Sequence, residues 1–245
     1  MKSSRSVTAL WTCVSGSLLN LLYPRRCPLC HQVMKEQRRL ICPECEKDLH
    51  PITGPRCYHC GKPIKEGEEY CADCRSHPGA FTAGKGIFLY DDRMKASMMK
   101  YKYSGCREYG RFFGRAMCVY GEDSIRRWSP DLIVPVPMTA AKLRQRGFNQ
   151  AVDLAGIVAA WMKLPLDTGL VQKIRHTDAQ KEQDAAGRRR NLKGAFEITR
   201  RIDGMRILII DDVYTTGSTM DEIAGCLKKS GAEAVFFLTL CSGIH

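Results

Sequence analysis

The chain has no apolar run long enough to cross a bilayer, although 44% of its 245 residues are hydrophobic. The nearest approach, residues 7–23, follows Lys2 and Arg5 but is interrupted by Ser, Thr and Asn, and no small-x-small cleavage site precedes Tyr23-Pro24. Its leucines, Leu18, Leu19, Leu21 and Leu22, suit an amphipathic helix within residues 1–24 that docks on the protein, with no stable membrane insertion. Acidic residues are scarce. Asp and Glu number 26 against 38 Lys and Arg, a formal charge of +12, which is the sign of balance that attracts polyanions. A Walker-type lysine is missing as well: Gly217 is followed by Ser218 rather than by Gly-Lys-Ser/Thr, which argues against a P-loop ATPase. Nor does any segment encode a recognisable purine or pyrimidine site.

Cysteine, by contrast, is abundant. Eight of the thirteen fall in four Cys-x-x-Cys pairs: Cys27/Cys30, Cys42/Cys45, Cys57/Cys60 and Cys71/Cys74. Spacers of eleven and ten residues between paired knuckles suit tetrahedral zinc better than a disulfide framework. Four thiolates leave no open coordination position, so two structural Zn²⁺ sites are expected. Sequential and cross-braced pairings both fit the spacing, and His31, His50, His59 and His77 are alternative ligands. The module spanning residues 25–78 is rich in Pro, Gly, Lys and Glu, so metal rather than an apolar core is expected to hold it together. Eight thiolates and two zinc ions would bring the formal charge from +12 to +8, which weakens the inference from charge to nucleic acid. No βαβ pattern surrounds any of the pairs, which argues against a thioredoxin-like role. Cys13, Cys106, Cys118, Cys226 and Cys241 stand singly and read as free thiols in a reducing cytosol.

From residue 79 to 245 the composition changes to that of an α/β domain. Residues 86–90, 131–137, 197–198 and 235–240 read as short strands, residues 94–99 with Tyr101 as a helix, and residues 151–162 as a second helix with Val152, Ala155, Val158 and Ala159 on one face. Alternation of strands and helices predicts a mostly parallel sheet flanked by helices. Between residues 100 and 115, Lys100, Lys102, Arg107, Arg111 and Arg115 interleave with Tyr101, Tyr103, Tyr109, Phe112 and Phe113. Such a stretch serves single-stranded nucleic acid by stacking and charge, or forms the packed and solvated faces of helices. A long polar segment, residues 173–191, contains Arg188, Arg189 and Arg190 and reads either as a lid over an anion or as a solvated loop.

The most informative segment is residues 207–220. Ile207-Leu208-Ile209-Ile210 suits a strand buried on both faces, Asp211 and Asp212 follow where it should emerge, and Val213-Tyr214 leads into Thr215-Thr216-Gly217-Ser218-Thr219. Ile223, Ala224 and Leu227 then follow at helical spacing. A small-residue loop at a helix N-terminus cradles phosphate through free N–H groups and the helix dipole. Carboxylates repel phosphate, so Asp211 and Asp212 need sugar hydroxyls or the waters of a hard cation. A phosphorylated sugar carrying a Mg²⁺-bound group meets both demands.

Together these segments resemble the type I phosphoribosyltransferases, and more closely the ComF family. The resemblance rests on Asp211-Asp212-Val213-Tyr214-Thr215-Thr216-Gly217-Ser218-Thr219, on Val134-Pro135-Val136-Pro137 followed by Arg146-Gly147-Phe148-Asn149-Gln150, on Thr177–Gln180 with Arg188-x-x-Asn191 and Gly194-Ala195-Phe196, and on the paired zinc ribbons ahead of them. It implies a type I phosphoribosyltransferase fold with a small N-terminal zinc-ribbon module. It also implies that Asp211 and Asp212 hold the ribose hydroxyls and order Mg²⁺ waters, and that Tyr214–Thr219 grip the 5′-phosphate of phosphoribosyl pyrophosphate. Pro137, Met138 and Thr139 would meet the pyrophosphate, with Arg144, Arg146 and Arg188 nearby. A cytoplasmic role in DNA uptake follows from the same resemblance, with an unidentified acceptor and with single-stranded DNA and DNA-uptake proteins as partners. A catalytically silent nucleic-acid-binding adaptor is the alternative.

Overall fold

The computed structural model describes residues 24–36, 38–175, 187 and 191–243. The expected N-terminal helix, Cys13, Arg188 and most of the polar segment 173–191 lie outside these residues. Two turns of the same local design open the described chain. In the first, the Cys27 N–H donates to the Gln32 carbonyl and the His31 N–H to the Cys27 carbonyl; in the second, Cys57 donates to Lys62 and Gly61 to Cys57, all at 2.8–2.9 Å. His31 and Gly61 occupy equivalent positions and both take positive φ, +63° and +72°. Short helices α1 (Pro43–Lys47) and α2 (Ala72–Ser76) follow Cys42 and Cys71 and carry Cys45 and Cys74 on their first turns.

The main sheet contains β1 (Ala83–Leu89), β2 (Leu132–Pro135), β5 (Arg206–Tyr214) and β6 (Ala234–Ser242) in the order β1-β6-β5-β2, with every pairing parallel. A separate antiparallel pair joins β3 (Val171–Lys173) to β4 (Phe196–Ile198). The central strands β5 and β6 are buried on both faces, which is why each reads as a continuous apolar run. Along β5 the side chains alternate: Leu208 and Ile210 join the cluster formed with α4 (Tyr109–Trp128) and α6 (Gln150–Met162), whereas Ile207 and Ile209 join that formed with α7 (Ser218–Lys229) and β4. All four are fully buried, and each such side chain contributes about 1.5–3 kcal/mol.

Two expectations change. First, β5 does not end before the acidic pair. It continues in register with β6 through Asp211 opposite Thr239 to Tyr214 opposite Ser242, so the carboxylates sit on an ordered strand rather than at the start of a loop. Secondly, metal ligation is not the only hold on the cysteine module. Leu29, Met34, Leu40 and Ile41 are buried in one cluster with Met98, Tyr109 and Phe113, so the first ribbon is anchored on helices of the α/β domain. The aromatic residues of the basic stretch are sorted by the same packing. Tyr101, Tyr109, Phe112 and Phe113 are buried, because they form the inner faces of α3 (Asp92–Tyr103) and α4; only Tyr103 is exposed.

Candidate ligand cleft and cysteine tetrads

The thiols converge as Cys27, Cys30, Cys42 and Cys45 and as Cys57, Cys60, Cys71 and Cys74, each set with its sulfur atoms within 4.8 Å of one another. This is the sequential pairing, and it excludes the cross-braced one. The Sγ···Sγ separations of 3.8 Å for Cys30–Cys42 and 3.6 Å for Cys60–Cys71 match the roughly 3.8 Å edge of a tetrahedron with Zn–S bonds of about 2.3 Å. The four-sulfur donor set therefore fits structural Zn²⁺. His31 and His59 are occupied elsewhere, the first against the Tyr109 hydroxyl and the second, through Nε2, with the Phe81 carbonyl.

At the C-terminal end of the sheet, a cleft of about 270 Å³ opens between β5, the turn after β2 and the end of α3. Asp211 and Asp212 form its floor, together with Lys102 from the last turn of α3. The Lys102 ammonium makes an ion pair with Asp212 Oδ2, and both side chains are largely buried. Electrostatics divide the acidic pair. Burial, reinforced by the charge of Asp212, pushes the Asp211 carboxyl well above the usual carboxylate range. Burial is the largest single influence on Asp212 and acts against its ionised form, but the charge of Lys102, its hydrogen bond and the smaller contributions of Asp211 and Arg146 together hold that carboxyl below its ordinary value. Burial acts most strongly on Lys102, against its charge, but the charge and hydrogen bond of Asp212, with the charges of Asp211 and Tyr90, together raise it in return. One carboxylate is thus neutralised from within the protein, while among the described residues its neighbour has no ion pair of its own.

The opposite wall is built by the turn after β2. The side chain of Asn149 donates from Nδ2 to the Val136 carbonyl at 3.1 Å and so ties the turn to the start of α6. Thr139 caps α5 (Ala140–Arg146), its Oγ1 accepting from the Lys142 N–H. Pro137, Met138, Thr139 and Arg146 line the cleft. Arg146 lies over the Tyr103 ring, 4.7 Å from its centroid, and Nη2 donates to the Tyr103 hydroxyl at 2.8 Å. Arg144 is exposed and outside the cleft, and Arg188 lies outside the described residues.

Adjoining the floor, Thr215–Thr219 wrap a small recess at the N-terminus of α7. Gly217 takes φ +78° there, which a side chain would strain, and Thr216 Oγ1 lies 3.0 Å from Ser218 Oγ. The arrangement presents hydroxyls and unpaired helix N–H groups side by side with two carboxylates. It can hold a phosphate and a polyol at once. Sequence reasoning missed Lys102 and Lys173 as cleft residues; Lys173 is held below its ordinary value by burial and by neighbouring Lys142. No local signal marks either lysine, since the fold alone brings them to Asp211 and Asp212.

Comparison with known proteins agrees with this architecture. The phosphoribosyl transferase domain family matches residues 123–245, and the double zinc ribbon domain family matches residues 18–75. The chain therefore belongs to the phosphoribosyltransferase family, in the ComF group that joins this domain to a double zinc ribbon. It is 30% identical to DNA utilization protein YhgH of Escherichia coli (strain K12) over 224 residues, covering 90% of this chain and 98% of that one. Competence protein F of Haemophilus influenzae is 28% identical over 216 residues, 86% and 93% of the two chains. Competence protein ComFC of Bacillus subtilis is 28% identical over 204 residues, 79% and 80% of the two chains. Among the described residues no helix is long and apolar enough to cross a membrane.

Proposed function

We propose that the cleft binds phosphoribosyl pyrophosphate with Mg²⁺ and that this cytoplasmic protein transfers the phosphoribosyl group to an acceptor in a process linked to DNA uptake. The observation that carries the reading is the juxtaposition of Asp211 and Asp212 on β5 with the Thr215–Thr219 loop at the start of α7. Backbone N–H groups of that loop, with the Thr215, Ser218 and Thr219 hydroxyls, would grip the 5′-phosphate. Asp211 and Asp212 would accept hydrogen bonds from the ribose hydroxyls, and Pro137–Thr139 with Arg146 would face the pyrophosphate.

No covalent nucleophile is needed. Departure of pyrophosphate from C1 builds positive charge on the ribose ring and negative charge on the leaving group. Bound Mg²⁺ would neutralise part of the leaving group's charge. Asp211 and Asp212 tolerate the cationic ring, while Arg146, Lys142 and Lys173 on the other walls favour the anion. The acceptor's attacking atom completes the substitution. In the two cysteine tetrads, Zn²⁺ would be structural, since four thiolates close the coordination sphere. An adaptor that binds single-stranded DNA through the basic stretch is less well supported, because four of its five aromatic residues are buried away from any base.

Calorimetry with phosphoribosyl pyrophosphate and Mg²⁺ tests the reading. The wild type is expected to bind, and Asp211→Ala/Asp212→Ala to lose binding. Absence of binding by the wild type, or undiminished binding by the double variant, refutes it. Single-stranded DNA binding that is steeply salt-dependent and unaffected by the double variant would favour the adaptor.

A further inference from the structure

Lys102 is a cleft residue to which the proposed binding of phosphoribosyl pyrophosphate gives no task. It lies in the last turn of α3, where the helix dipole favours a cation. It is not free to swing away as a surface lysine does, because α3 is fastened along its length. Met94, Met98 and Tyr101 are buried in one cluster with Leu29, Met34 and Ile41 of the first ribbon. Between them, Ser97 Oγ donates to the Pro28 carbonyl at 2.5 Å. The ribbon therefore fixes where α3 ends, and so where the ammonium stands.

That ammonium is set against Asp212 Oδ2, with Asp211 beside it on the same floor. Two neighbouring carboxylates with nothing to balance them suit a hard divalent ion, which takes oxygen ligands. Here the balancing charge comes from within the chain. The walls oppose a further cation as well. Lys142, Arg146 and Lys173 line the cleft with Lys102, whereas Asp211 and Asp212 are its only acidic residues among the described ones. The residue next to Lys102 keeps Arg146 in place, since the Tyr103 hydroxyl accepts from Nη2 at 2.8 Å. A metal ion arriving alone would meet four positive side chains and would have to separate a buried ammonium from its partner. A hydroxyl group meets neither obstacle. It is uncharged, and a carboxylate has lone pairs for about four donors, so a hydroxyl can join Asp212 while Lys102 stays paired.

We propose that Lys102 is a specificity-determining residue: it is the resident cation of the acidic pair, keeps a lone divalent metal ion off Asp211 and Asp212, and reserves them for the hydroxyls of a sugar. The choice of sugar hydroxyls rests on the reading of the cleft as a phosphoribosyl pyrophosphate site. The Mg²⁺ of that reading is held by the oxygens of the diphosphate and does not need the pair. Removing the ammonium while keeping its stem leaves two adjacent carboxylates uncompensated, and the floor then becomes a metal site.

Mn²⁺ is the probe, since electron paramagnetic resonance tells the free ion from the bound one. Zinc-loaded wild type, Lys102→Met, Lys102→Arg, Asp212→Asn and the double variant Lys102→Met/Asp212→Asn are each titrated with Mn²⁺ alone; Lys102→Gln replaces Lys102→Met if the latter does not fold. Wild type and Lys102→Arg, which keeps the charge, are expected to behave alike and to leave Mn²⁺ free. Lys102→Met should gain one site that binds Mn²⁺ about tenfold or more tightly than the wild type does, and adding Asp212→Asn should abolish it. Mn²⁺ uptake by the wild type that Asp212→Asn removes overturns the proposal, and so does a Lys102→Met variant that binds Mn²⁺ no better than the wild type. A parallel titration with ribose 5-phosphate keeps the two readings apart. Failure of the wild type to bind it, with Mn²⁺ gained only by Lys102→Met, would overturn the reading of the cleft while supporting the exclusion of metal by Lys102.

Discussion

Replacing Lys102 with methionine tests how the cleft is built when nothing is bound. Methionine keeps the apolar stem that packs at the end of α3 but removes the ammonium paired with Asp212. The side chains of Lys102 and Asp212 are 17% and 6% exposed, so the pair lies close to the buried limit. Removing one partner of a buried pair costs about 3–5 kcal/mol, because the other charge is left uncompensated. The lower end applies here: Asp212 opens onto a cleft and, beside Asp211, can take up a proton once the ammonium is gone. A loss of about 3 kcal/mol corresponds to a fall in melting temperature of about 6–12 °C for a chain of this size.

Asp212→Asn should cost less, since the freed Lys102 can turn to Asp211. Combining the two substitutions removes both charges, so the double variant should be more stable than the sum of the single losses predicts, with a coupling of about 1–3 kcal/mol. Thermal unfolding followed by circular dichroism in zinc-replete buffer measures all three variants. A fall of under about 2 °C for Lys102→Met, or strictly additive losses, would refute the pairing as an energetic feature of the free protein.

Other consequences are more direct. Asp211→Asn should stabilise the ligand-free protein while weakening phosphoribosyl pyrophosphate binding, because it removes the second of two adjacent carboxylates that share one cation; lower thermal stability would contradict this. Gly84→Ala should cost about 1–3 kcal/mol by overpacking, since its Cβ would fall 2.0 Å from the ring of Phe237; wild-type stability would mean that Phe237 and the stacked Tyr214 can move aside freely. Freshly purified protein should contain two equivalents of zinc, one for each tetrad, and a strong chelator should lower its melting temperature; metal content well below two would refute the paired-site assignment.

Much of the site was legible because its signals are local. A run such as Ile207–Ile210 can be buried on both faces only in the middle of a parallel sheet, and small residues between a strand and a helix leave N–H groups free for an anion. Cys-x-x-Cys knuckles carry their own turn geometry, so their presence and number could be read directly. Pairing of the tetrads could not, because sequential and cross-braced connections place the same residues at the same spacings. The aromatic stretch between Tyr101 and Phe113 was ambiguous for a related reason. Its helical period is the same whether the rings meet a core or a nucleic acid, and packing of α3 and α4 on the sheet turned four of them inward.

By itself, then, the sequence determined an α/β domain, a small-residue loop beside an acidic pair at a helix N-terminus and the cysteines of two tetrads, since each depends on residues a few positions apart. Contacts across long stretches of chain were decided by the tertiary structure alone. Lys102 meets Asp212 because α3 ends over β5, and Lys173 reaches the same cleft from the separate β3–β4 pair. Tyr214 shares a recess with Asp73 and Cys74 because the second ribbon packs on the end of the sheet where β5 gives way to α7. Such meetings leave no periodicity or spacing to read, because their partners are chosen by the packing of whole elements and not by the residues beside them.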